Sequence, residues 1–143
     1  MRHLALLAIP ALIAAAPAPE DGPVAARALV QTYYGAIDRG DFRSAYAMWD
    51  NGGQASGKSF AAFRAGFAAT ARSRVVTGVP RNGDAGMSQR WIEVPVDVYA
   101  TLKNGRPQHF RGSYTLHRVV PGVGAPASQT HWHLASAKLV AVR

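Results

Sequence analysis

The sequence predicts an α+β fold, in which helices come first and an antiparallel sheet follows. Apolar residues recur at helical spacing through residues 23–67, whereas they alternate with a period of two through residues 91–102. Asn104-Gly105, the strongest hairpin signal in the chain, follows the alternating stretch. Runs of helices followed by runs of hairpin strands are typical of helices packed on one antiparallel sheet.

Size and composition fit one globular domain. The chain has 143 residues, of which 48% are hydrophobic and 17% are charged. It contains no cysteine, which excludes disulfides, a thiolate nucleophile and cysteine-ligated zinc. The net charge is +8, but the arginines are dispersed and no RNA-binding aromatic motif occurs, so we expect no nucleic-acid partner. An acidic partner or an anionic envelope surface fits this charge better, and a solvated, arginine-rich surface fits it best.

Residues 1–18 are predicted to be a cleavable signal peptide. A short basic start precedes an apolar stretch over residues 4–16, and small residues in Ala-x-Ala patterns follow it. The apolar stretch is shorter than the roughly 20 residues that span a bilayer, and Pro10 interrupts it. We therefore expect a periplasmic or secreted domain over residues 22–143, without stable membrane insertion after cleavage. An uncleaved anchor is the alternative.

Three amphipathic helices are predicted at the start of the domain. Pro23 suits the first turn of the first helix, and Gly40 ends that helix. Asp41 and Ser59 can cap the second and third helices, because their side-chain oxygens accept hydrogen bonds from free backbone N–H groups. The aromatic side chains on the apolar faces of these helices are Tyr33, Trp49, Phe60, Phe63 and Phe67.

About four strands are predicted after the helices. The first covers residues 74–79 and ends at a turn over residues 80–84. The second covers residues 91–102, and Asn104-Gly105 joins it to a third strand over about residues 108–119. A last strand covers residues 131–142.

This order of elements resembles the NTF2-like (SnoaL-like) superfamily. Residues 30–42, an aromatic helix that leads into a Gly-Asp turn, are similar to the opening of that family. Residues 112–116 and 132–134 are similar to its later strands. The resemblance covers nearly the whole mature chain, and it implies a curved sheet that folds around the three helices as a cone. The family includes enzymes such as ketosteroid isomerase and polyketide cyclases, and many non-catalytic domains.

The resemblance to ketosteroid isomerase extends to one of its three catalytic groups. Tyr33 precedes Gly40 by the spacing of the oxyanion-binding tyrosine. The general-base aspartate of that enzyme would fall within residues 51–58, which contain no acid. The second oxyanion donor, also an aspartic acid, would fall near Tyr114 or Thr115. The isomerase mechanism therefore does not carry over to this chain.

Asp97, His133 and Tyr33 are the catalytic candidates of an alternative hypothesis, an enzyme of the isomerase or dehydratase type. A carboxylate and an imidazole can act as acid and base when a pocket tunes their pKa values. If the alternating apolar residues line the core, however, Asp97 lies on the opposite face of the sheet. His131 and His133 share a strand face and could form half of a metal site. His117 on the neighbouring strand and Asp97 could complete it, but no third ligand is demonstrated, so we predict neither a metal nor a cofactor.

The candidate lining of a ligand pocket is aromatic and comprises Tyr33, Trp49, Phe63, Phe67 and Tyr114. The same side chains could instead fill the core. The leading hypothesis is an exported, non-catalytic domain that binds a small apolar ligand or acts as an envelope interaction module through its open sheet face. Homodimerisation through that face, which carries Trp91 and Tyr99, is a third hypothesis.

Overall fold

Residues 21–143 are described by a computed structural model, in which helices cover one face of a five-stranded antiparallel sheet that is not closed. The α+β class predicted from the sequence is confirmed. The predicted signal peptide lies outside the described residues. No helix between residues 21 and 143 has both the length and the apolar character needed to cross a bilayer.

Residues 21–143 form three α-helices and two short 3-10 helices. These are α1 (Pro23–Asp38), α2 (Phe42–Ala47), α3 (Phe60–Ala65) and the 3-10 helices Asn51–Ser56 and Ala127–Thr130. Pro23 occupies the first turn of α1, as predicted, because its missing N–H needs no partner there. Gly40 follows the helix with a φ of 77°, a left-handed conformation that glycine adopts without a steric penalty.

Both predicted helix caps are confirmed. The Asp41 carboxylate accepts a hydrogen bond from the backbone N–H of Ser44 at 3.2 Å, and the Ser59 hydroxyl accepts one from Ala62 at the same distance. Two boundaries were predicted wrongly. α2 ends at Ala47, so Trp49 lies beyond it in a β-bridge to Leu134. α3 ends at Ala65, so Phe67 lies beyond it in a turn. The Phe67 ring nevertheless contacts the cluster that the helices bury.

The sheet contains one more strand than the sequence predicts. Its strands are β1 (Thr70–Thr77), β2 (Arg81–Gly86), β3 (Gln89–Leu102), β4 (Pro107–Val119) and β5 (His133–Ala141). The hydrogen-bonded order is β1-β3-β4-β5, and β2 also pairs with β3. Residues 80–84, predicted as a turn, therefore contribute most of β2. The hairpin predicted at Asn104-Gly105 is confirmed, since it joins β3 to β4.

Pro95 explains how two strands share one edge of β3. On that edge β1 pairs with residues 96–102 and β2 pairs with residues between 89 and 93. Pro95 lies between these two segments, where its carbonyl accepts a hydrogen bond from Gly78 at 2.8 Å. Proline has no N–H to donate to a ladder, so this gap is the position on the strand that suits it.

The core lies between the helices and one face of the sheet. The β3 side chains of this face are buried, as the alternation predicts, at Ile92, Val94, Val96 and Val98. They belong to one cluster with Val30 and Ile37 of α1. None of the three α-helices packs over the opposite face, which we call the outer face. It consists of the odd-numbered residues of β3 and their cross-strand neighbours.

Candidate functional site

Tyr33 points into the core rather than into an open site. It lies on the buried face of α1 and is 3% exposed. The indole Nε1–H of Trp49 donates a hydrogen bond to its hydroxyl at 3.3 Å. Burial raises the pKa of Tyr33 to about 12, because the charged phenolate loses its hydration in the protein interior. This tyrosine therefore stays protonated at neutral pH.

The predicted pocket residues come together as one packed aromatic cluster. The ring of Tyr33 lies 6.2 Å from that of Trp49, 6.5 Å from that of Phe63 and 5.9 Å from that of Tyr114, measured between ring centroids. Phe67 joins the edge of the cluster, 5.3 Å from Phe63. These separations are those of directly packed aromatic pairs. The side chains expected to surround a ligand thus contact one another.

Two buried tyrosines add a polar contact to this cluster. The hydroxyls of Tyr34 and Tyr114 are 2.6 Å apart and share a hydrogen bond. Burial raises the pKa of both side chains above the usual value near 10. The pair keeps each hydroxyl satisfied inside an apolar layer, as buried polar groups require.

Asp97 lies on the outer face, across the sheet from Tyr33. Its carboxylate accepts hydrogen bonds from His109 at 2.6 Å and from Arg111 at 2.9 Å. The His109 and Arg111 hydrogen bonds lower the pKa of Asp97, because both partners favour its charged form. The His109 ring in turn stacks on Tyr99 at 4.3 Å. Both bonds go to Oδ1, so Asp97 is held by neighbours on its own face.

His133 lies at the far end of the outer face from Asp97. It pairs with His117 across β4 and β5, whereas Asp97 pairs with Arg111. The positions of Arg111 and His117 are separated by about 20 Å along the strand. Tyr33 lies on the other side of the sheet, so the three catalytic candidates do not converge on one cavity. The isomerase or dehydratase hypothesis requires that convergence.

A contact of a half-buried histidine was missed in the sequence. His117 donates from Nδ1 to the Asp50 carboxylate at 2.8 Å, and its Nε2 contacts the side-chain oxygen of Gln89. Asp50 is held in place because its backbone N–H donates to Leu134 at 2.9 Å, so the loop after α2 extends the edge of β5. The sequence shows Asp50 only as a helix breaker. No local signal links residues this distant.

The group formed by His117, Asp50 and Gln89 borders a cleft of about 510 Å³. An imidazole oriented by a carboxylate can act as a general base when its second nitrogen faces the substrate. Here the Gln89 side chain contacts the second nitrogen of His117. The group therefore connects the loop after α2 to the sheet and does not present a base to a substrate. Within residues 21–143, no group of three or more His, Asp or Glu residues is arranged to hold a metal ion.

A second depression, also of about 510 Å³, lies at the centre of the outer face; we call it the outer groove. Its apolar surface is formed by Val76, Pro95 and Val140, and two of these are conspicuously exposed, Val76 at 51% and Val140 at 69%. The charged side chains that line the outer groove are Arg81, Arg111, Lys138 and Asp97. Asp97 pairs with Arg111, so the three cations outnumber the single carboxylate and the rim has a net positive charge.

Comparison with known proteins indicates a fold and no function. No family model and no curated protein matches the chain. Its structure is similar to a solved structure of the Kfla4162 protein from Kribbella flavida, with a TM-score of 0.57 and 18% sequence identity. The alignment covers 85% of this chain and 91% of that chain. At this level of identity the similarity shows a shared fold alone.

Proposed function

We propose that this chain is an exported NTF2-like domain without a catalytic role, whose outer groove binds an acidic segment of a partner polypeptide. The observation that carries the proposal is the outer groove itself, where exposed apolar side chains lie beside three cations on a sheet face that no α-helix covers. Exposed apolar surface rimmed by polar groups is typical of interaction sites. The predicted signal peptide and the resemblance in element order support export and the family.

Charge favours an acidic partner. The rim carries three cations, Arg81, Arg111 and Lys138, against the single carboxylate of Asp97. Arg81 contacts Glu93 at 3.3 Å and Arg111 contacts Asp97 at 2.9 Å, but these side chains are partly exposed, so both pairs are weak. A complementary partner would place carboxylates over the rim and apolar side chains over Val76 and Val140.

The same charges disfavour a second copy as the occupant. A twofold dimer brings one patch against its own copy, so each rim cation would approach other rim cations. The whole chain carries a net charge of +8, which adds to the repulsion. A small apolar ligand in the interior is also less well supported, because Tyr33, Trp49 and Tyr114 already pack against one another there.

The test uses a short peptide of alternating glutamate and valine, and the same peptide with every glutamate replaced by glutamine. We expect the acidic peptide to bind by fluorescence anisotropy and the glutamine peptide to bind far more weakly. Binding should weaken as salt increases, because the contacts are exposed charge pairs. Equal binding of the two peptides would contradict the proposal, as would preferential binding to anionic lipid vesicles.

Matched variants locate the binding surface. The double substitution Arg111→Gln with Lys138→Gln should weaken acidic-peptide binding about tenfold, as expected for two partly exposed ion pairs. Arg64→Gln with Arg106→Gln removes the same charge at two exposed sites that do not line the outer groove. If both double variants lose the same affinity, the peptide responds to net charge alone. Sedimentation of the unmodified protein should show a monomer.

A further inference from the structure

Two arginines face each other across the sheet at the end nearest the start of α1. Arg90 of β3 pairs directly with Arg118 of β4. Both lie on the helix-facing side, in register with the buried pair of Ile92 and Leu116. Like charges directly opposite each other on a sheet are destabilising. Their position therefore calls for a compensating negative charge.

Arg118 is the more buried of the two arginines. Its side chain is only 9% exposed, and its Nε and Nη1 groups are buried without a hydrogen-bond partner among residues 21–143. The guanidinium lies over the ring of Trp132, 5.3 Å from the centroid. Asp21 supplies one carboxylate oxygen at 3.4 Å from Nη2, but its own side chain is 53% exposed. Buried charges are normally paired and fully hydrogen-bonded. The Nε and Nη1 groups of Arg118, by contrast, have no acceptor among the described residues.

The start of α1 adds positive potential next to this pair. The helix has 16 residues, its N-cap is Gly22 without a side-chain cap, and its first turn carries no acidic residue. The free N–H groups and the helix dipole at such a terminus favour anions. The carbonyl of Gly22 accepts a hydrogen bond from the Trp132 indole at 3.1 Å, so the helix start is fixed beside the ring under Arg118.

We propose that the cleft between these elements binds a small organic anion. Its volume is about 440 Å³, and Arg90, Arg118, Trp91 and Trp132 are among its lining residues. The carboxylate or phosphate group of the ligand pairs with the two guanidinium groups and takes the place of the Asp21 side chain, which is free to swing into solvent. The apolar body of the ligand packs against Trp132. This site is separate from the outer groove and does not depend on it.

Benzoate, phenyl phosphate and benzamide are the probes that test this site. Benzamide has the shape of benzoate without its charge, and phenyl phosphate tests the second anionic group. We expect benzoate or phenyl phosphate to change the tryptophan fluorescence in a saturable way and to raise the melting temperature, while benzamide does neither. The tighter of the two anions identifies the group that the cleft prefers. Absence of saturable binding by both anions, or equal binding of benzamide, would overturn the proposal.

Substitutions then tie binding to the two arginines. Arg118→Gln should weaken binding of the preferred anion at least about tenfold, because it removes a charge-assisted hydrogen bond. Arg90→Gln, at a less buried position, provides the same test if the first variant does not fold. Arg106→Gln, an exposed arginine in the turn between β3 and β4, is the charge-matched control and should bind as the unmodified protein does. Unchanged affinity in a folded variant of Arg118 or Arg90 would overturn the assignment.

Discussion

At the residue scale, Gly112 shows how closely two strands approach each other. A side chain added at this position would overlap the carbonyl oxygen of Lys138 on β5. We therefore expect Gly112→Ala to lower the free energy of unfolding by about 3 kcal/mol, because the backbone of one strand must move. Urea denaturation measures this loss. Ser113→Ala, one residue further along the same strand, is the control and should change stability little. A loss as small as that of the control would show that the strands can separate at no cost.

The buried tyrosines predict a decline of stability at alkaline pH. Burial raises the pKa of Tyr33 to about 12, and raises those of Tyr34 and Tyr114 as well. The unfolded chain loses these protons near pH 10, before the folded chain does. Stability is therefore full below about pH 10 and falls above it, by about 1.4 kcal/mol per pH unit for each such tyrosine.

Denaturation in urea at several pH values, with tyrosine absorbance recorded in parallel, checks this prediction. Tyr114→Phe removes one of the titrating groups, so its stability should decline less steeply with pH. Titration of all five tyrosines of the chain near pH 10, with the protein still folded, would contradict the account.

Residue-scale features differ in how far the sequence reveals them. The aromatic core at Tyr33, Trp49 and Phe63 could be predicted, because each ring falls on the apolar face of a local period. Arg118 and His117 could not, because Asp21 lies 97 residues from Arg118 and Asp50 lies 67 residues from His117. Those contacts arise from strand pairing, which no local pattern contains.

At the element scale, the cap of α3 predicts a measurable contribution to stability. Ser59→Ala removes the acceptor of the Ala62 N–H and should cost about 1 kcal/mol. Ser59→Asp keeps an acceptor at the same place and should remain close to the unmodified protein. Chemical denaturation of both variants checks the difference. Equal losses in the two variants would mean that the hydroxyl contributes through something other than capping.

β2 is the element that local rules missed, and its turn explains why. The connection from β2 to β3 passes through Met87 and Ser88, whose φ values are 40° and 58°. Sequence rules assign left-handed turn positions to asparagine and glycine, and Gly105, with a φ of 87°, follows these rules. All six residues of β2 are exposed, so no apolar alternation marks the strand either. Its strand character comes from pairing with β3.

At the scale of the whole molecule, the order of elements was predictable from the sequence, but the outer groove was not. The change of period from helix to strand follows from apolar spacing alone, and it is sufficient to predict helices on one face of a sheet. The outer groove, by contrast, gathers Val76, Pro95, Lys138 and Val140 from three strands. Its position depends on register, and register depends on the pairing of the complete sheet.

The central claim is that the outer groove is the surface on which this domain acts. Chemical-shift mapping of the isotope-labelled protein with the acidic glutamate–valine peptide tests it most directly. We predict saturable shifts at Val76, Ser113 and Val140, with the amides of α1 and α3 unchanged. Shifts confined to the helical layer would contradict the claim. An unchanged spectrum with the peptide in large excess would contradict it as well.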